Sequence, residues 1–157
     1  MIVVSSNLAL ALQQAGSADF PVLGWHNVVA IDNVAADSED AGYPATNLAN
    51  PSTAPQQGWR STSTAEQLVT VSPISSDEET DYVGIARHNL GSDGISVAVE
   101  GTTDGVTWST VLAAQLLGDD SPAVLRFTPG FYTGVRLRMV PGATAPRACV
   151  LYAGRLL

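Results

Sequence analysis

The 157-residue chain is 45% hydrophobic and 14% charged, with fifteen acidic groups against seven basic ones and a net charge of −8. Its length and hydropathy suit one domain with a sizeable core and exclude disorder throughout. With no clustered basic surface to displace counterions, nucleic acid is excluded as a partner.

The first stretch, MIVVSSNLALALQQAGS, has no basic flank, and Ser5, Ser6, Asn7, Gln13 and Gln14 break its apolar run. It therefore predicts neither a secretory leader nor a membrane span, and synthesis in a cytoplasm is expected. Leu8 and Leu12 stand one turn apart in SNLALALQQ, which predicts a short helix. VVAIDNV and EQLVTVSPI predict strands. Between them, AADSEDAGYPATNLANPSTAPQQGWRS is polar, proline-bearing and without period. Tyr43 and Trp59 favour a packed loop there over a disordered one, since aromatic side chains gain little in free water.

From residue 82 the period is two. Tyr82, Gly84, Ala86, His88 and Leu90 share one strand face, and HNLGSDG follows as a corner in which Asn89 and Gly91 suit left-handed backbone. Ile95, Val97 and Val99 alternate with polar residues, Asp104-Gly105 supplies a turn, and Val106 and Trp108 continue the hairpin with Trp108 assigned to the core. Ala123, Leu125 and Phe127 face inward on the next strand. Val135, Leu137 and Met139 face inward on the one after, with Arg136 and Arg138 outward. The apolar run ACVLYAG closes the series. Strands at this spacing, separated by turns, predict an all-β antiparallel sandwich or barrel.

Catalytic patterns are sparse. His88 would need an orienting carboxylate and a nucleophile, GxSxG is absent, and the lone Cys149 lies among apolar neighbours, so no enzyme is predicted. His26 and His88 lack any partner at zinc-ligand spacing. Acidic residues gather in DSED (37–40), DEETD (77–81) and GDD (118–120), which makes calcium the one candidate ion, although no DxDxDG loop occurs. Trp25, Trp59 and Trp108 raise a sugar-stacking reading; an aromatic plug sealing one end of the sandwich is the favoured reading of Trp59, with a glycan contact on an exposed loop its alternative. All seven basic residues are arginines, which dehydrate more readily than lysine and point to interfaces.

The succession PATNLANPSTAPQQGWRS, LVTV, DYVGIARHNLGSDGISVAVEGTTDGVTW and APRACVLYAGRLL resembles a group of small phage and prophage tail proteins. These are related to the galactose-binding, discoidin-like jelly rolls, and the likeness runs from near residue 20 to the end. It rests on Pro44, Ala45 and Asn47, on Gly58 and Trp59, and on Asp104, Gly105 and Trp108. LANPST stands where many such modules have an aspartate-glycine pair beside a calcium, so the resemblance implies no resident cofactor.

The resemblance implies a jelly-roll sandwich over residues 21–157, preceded by a docking segment at 1–20. It implies a non-enzymatic structural protein of a tailed-phage virion, at the tail tip or baseplate, with other tail proteins and copies of itself as partners. The alternative is a carbohydrate-binding module that recognises host-surface glycans. Arg136, Arg138, Tyr152, Arg155, Leu156 and Leu157 are the candidate interface, because apolar ends such as MIVV and YAGRLL would invite pairing with other chains.

Overall fold

The computed structural model describes residues 1–15, 23, 24 and 26–156. In chain order its elements are β1 (Ile2–Val4), α1 (Ser6–Ala15), β2 (Val34–Ala36), β3 (Trp59–Arg60), β4 (Gln67–Val71), β5 (Thr80–Ala86), β6 (Ser96–Thr102), β7 (Ser109–Leu116), β8 (Ala123–Gly130), β9 (Gly134–Val140), β10 (Arg147–Ala148) and β11 (Val150–Gly154). One sheet runs β1-β8-β5-β11, the other β2-β4-β9-β6-β7, and β3 pairs with β10 as a short ribbon. Every pairing is antiparallel except β1 on β8. The expected β-sandwich is therefore present, with the expected short helix near its start.

Alternation dictates the core. Val97 and Val99 of β6, Leu125 and Phe127 of β8, and Val135, Leu137 and Met139 of β9 are all buried between the sheets. Each such side chain contributes about 1.5 to 3 kcal/mol relative to an exposed one. The aperiodic 35–61 stretch is packed: 3-10 turns at Ala45–Ala49 and Pro55–Gln57 bury Ala45 and Leu48, and Trp59 closes the core beside them.

Four local expectations are corrected. VVAIDNV is a turn and coil up to Asn33, and the strand begins only at Val34. The Asn33 side chain accepts from Ala30 N–H and donates to Val28 O, satisfying the backbone locally instead of in a ladder. The hairpin strand after Gly105 begins at Ser109, so Val106 is exposed in the turn. Trp108, expected in the core, is half-buried, with the Arg136 guanidinium stacked 4.3 Å from its ring centre. At the HNLGSDG corner, positive φ falls on Arg87 and Gly94, at 55° and 62°, and on neither Asn89 nor Gly91.

The described ends of the chain pair within the sandwich. MIVV supplies β1, an edge strand hydrogen-bonded to β8, and YAG completes β11 on β5. Both apolar ends thus contribute ladder strands to one sheet, with Ile2 of the edge strand β1 still 59% exposed. The docking segment expected at 1–20 has its first strand built into the sandwich, and residues 16–20 lie outside the described residues.

Candidate functional site

Four segments meet at one end of the sandwich: the β5–β6 turn (87–95), the β7–β8 turn (117–122), the β9–β10 turn (141–146) and the 3-10 stretch leading into β3. Buried Asn89 fastens two of them, donating to Ala145 O at 3.0 Å and accepting from Arg147 N–H at 2.9 Å. A further bond to Asp93 closes its own turn. Gly91 lies so close to the Asp119 backbone that a Cβ would meet it at 2.2 Å. That approach lets the Asp120 carboxylate accept from the amides of Gly91 and Ser92 at 3.0 and 2.8 Å. Asn47 anchors the remaining segment through Gly58 O at 3.0 Å.

These loops enclose a cavity of about 340 Å³. Its buried wall contains Trp59, Ala148 and Cys149, and its exposed or half-exposed wall contains the guanidinium-bearing residues Arg60, Arg87 and Arg147. Arg60 is held flat over the Tyr43 ring at 3.7 Å, and Arg87 Nε donates to Thr53 O at 3.4 Å. Among the described residues, none of these three arginines forms an ion pair with a carboxylate. Asp120 is the one carboxylate among the described residues that line the cavity. Partial burial opposes its charge, but hydrogen bonds from Ser92 and Gly91 hold its carboxyl below the usual range.

His88 is a structural residue. Its Nε2–H donates to Ser121 O at 3.0 Å, which leaves bare Nδ1 to accept the Leu90 N–H at 3.2 Å. Both ring nitrogens are occupied, and burial pushes the imidazole below its ordinary pKa, so it stays neutral. Cys149 is buried with Sγ facing Ala54 O at 3.8 Å. What the cavity offers chemically is donors for oxygen-rich groups, one acceptor and an apolar wall.

Trp59 is only 1% exposed and donates its indole N–H to Ser38 O at 3.0 Å, so of its two readings the plug sealing this end is the one present, and the candidate glycan contact is not an exposed stacking face. Trp25 and Leu157 lie outside the described residues. Arg136 and Arg138 do face outward from β9, but both donate to Glu100, at 2.7 and 2.8 Å, and Arg138 also reaches Glu66. Tyr152 lies on the outer face of the opposite sheet, while Arg155 pairs with Glu79 at 2.8 Å and Leu156 N–H donates to Asp81 at 2.8 Å. The described candidate interface residues therefore occupy two opposite faces and a sheet end. Arg60, Arg87 and Arg147 were not singled out by the sequence; their shared arginine character was the available signal, and their convergence is tertiary.

The acidic clusters are dispersed among backbone partners. Asp37 accepts from Leu68 N–H, Glu39 from Ala45 N–H, Asp40 from Gly42 N–H and Asp119 from Ser121 N–H. Among the described residues no three His, Cys, Asp or Glu side chains gather as metal ligands. In LANPST, the Asn50 side chain accepts from Ser52 N–H.

No family model and no curated protein matches the chain. Solved structures do. The fold is similar to chitosan-binding module 1 from a chitosanase/glucanase of Paenibacillus sp. IK-5, with TM-score 0.69, 20% identity, and 83% of this chain and 99% of that one covered. It is similar to the fifth CBM32 module of a Clostridium perfringens GH89 protein, in complex with GalNAc-β-1,3-galactose, with TM-score 0.66, 15% identity and coverage of 78% and 94%. It is also similar to a histidine mutant of the lectin binding domain of lectinolysin, complexed with Lewis b, with TM-score 0.66, 13% identity and coverage of 86% and 99%. The discoidin-like jelly-roll fold expected from the sequence is thus the fold of carbohydrate-binding modules. None of these structures is a phage tail component.

Proposed function

We propose that the chain is a non-catalytic carbohydrate-binding module whose ligand sits in the arginine-walled cavity between the four loops. The observation that carries this reading is the cavity itself: three arginines without carboxylate partners and one ionised carboxylate, on a fold whose solved neighbours include sugar complexes. Sugar hydroxyls and ring oxygens need such donors and acceptors. The site needs no nucleophile to do this, and His88 supplies no free base.

The structural role in a virion tail, with tail proteins and copies of itself as partners, is the second reading. Its support is an apolar groove on the outer face of the β8-β5-β11 sheet, lined by Gly84, Pro122, Val124 and the exposed Tyr152. A glycan array probed with the folded protein separates the two. Saturable binding to at least one glycan, competed by the free sugar, is expected. A folded protein that binds nothing on a broad array overturns the carbohydrate reading in favour of assembly.

A further inference from the structure

We infer that the cavity selects an acidic glycan, one bearing carboxylate or sulfate groups, over neutral or cationic sugars. This rests on the carbohydrate reading and adds the class of sugar. The chain as a whole carries −8, yet three of its seven arginines meet at this one cavity, against a single carboxylate. His88 contributes no charge, because both ring nitrogens are bonded within the fold and burial disfavours the imidazolium.

Of the four arginines elsewhere, three are matched by carboxylates, and the fourth, Arg126 on β8, forms no ion pair among the described residues and has a buried Nε without a hydrogen-bond partner. Arg136 and Arg138 share Glu100, and Arg155 pairs with Glu79. Around the cavity, Arg60 rests on an aromatic ring, Arg87 reaches only a backbone carbonyl, and the Arg147 guanidinium has no partner among the described residues. Guanidinium forks left without carboxylates match the planar, two-oxygen edge of a uronate or the oxygens of a sulfate ester. The same charges repel a polyaminosugar. A neutral sugar would leave those charges in the cavity without counter-charge, so preference follows from pairing and not from shape alone.

The positions of two arginines are fixed from below. Asn89 holds the Arg147 backbone, and Arg87 sits at φ 55°, which turns the chain sharply at the end of β5. A left-handed backbone at a non-glycine residue is uncommon and is kept where the surroundings impose it.

Isothermal titration of the folded protein with oligogalacturonate, sulfated galactan oligomers, neutral galactan oligomers and chitosan oligomers tests the inference. At least one anionic oligomer is expected to bind about tenfold or more tighter than the neutral one, and to weaken as salt rises. Arg147→Gln and Arg87→Asn are each expected to abolish that preference, whereas Arg155→Gln, away from the cavity, leaves it intact. Asparagine tolerates the left-handed position, so the second variant keeps the turn. Equal affinity for neutral and anionic oligomers overturns the charge selectivity and leaves sugar binding standing. Equally tight binding of polyglutamate overturns it too, by reducing the site to a general anion patch. Binding of none of the four sugars, with unchanged thermal unfolding, combined with an empty glycan array, removes both readings.

Discussion

Two groups of arginines divide this molecule. On the outer face of the five-stranded sheet, Arg136 and Arg138 share the Glu100 carboxylate, Arg138 adds Glu66, and Arg136 covers Trp108. At the loop end, Arg60, Arg87 and Arg147 surround a cavity with no carboxylate paired to any of them among the described residues. The side chain is the same, so its partners decide its part. A guanidinium paired within its own sheet holds the fold together, and one left unpaired beside a cavity is available to a ligand.

The largest expected effect lies under the loop end. Trp59→Ala removes a fully buried side chain together with its bond to Ser38 O, and should destabilise the protein by about 3 to 5 kcal/mol in urea denaturation. A loss below about 1 kcal/mol would mean that the plug does not support the cavity.

Glu100→Ala is expected to cost about 2 to 3 kcal/mol, because two half-buried guanidiniums lose the acceptor they share. Arg147→Gln, by contrast, should change stability by less than about 0.5 kcal/mol. If the two variants melted alike, the division between structural and available arginines would be wrong.

A smaller effect than that of Glu100→Ala depends on pH. Burial depresses the folded-state pKa of His88 below its ordinary 6.5, so between that folded value and 6.5 the unfolded chain binds more protons. The stability contributed by neutral His88 is therefore full above about pH 6.5 and lost as pH falls toward the folded pKa. His88→Gln should be about 1 kcal/mol less stable than the wild type at pH 7.5, and the gap should narrow at pH 5.5 in parallel thermal melts. Asp81 works in the opposite sense and lower in pH: burial raises its carboxyl above 3.8, so that group's contribution improves as acid protonates it. A gap that stays constant between pH 7.5 and 5.5 would contradict the neutral, doubly bonded imidazole.

How much of this was legible varies by element. Val135, Leu137 and Met139 announce β9 because strict alternation survives in the sequence, and all three are buried. Arg136 and Arg138 point outward as alternation requires, but the register that sets Arg136 opposite Glu100 spans 36 residues and leaves no local trace. Trp108 misled because its strand starts one residue later, at Ser109, which frees the indole to lie under Arg136. Asn89 read as a turn residue; its actual work is to tie Ala145 and Arg147 to the β5–β6 turn, through contacts 56 and 58 residues away.

The sequence alone determined that the chain is a sandwich or barrel of short strands, because two-residue alternation broken at turns leaves few other ways to hide one face of each strand. It also set the supply of arginines. Only the tertiary structure decided which arginines meet a carboxylate and which meet a cavity, and that the apolar ends pair with their own sheet. Pairing across strands and the convergence of loops depend on contacts between residues far apart in the chain, and no window of neighbouring residues contains them.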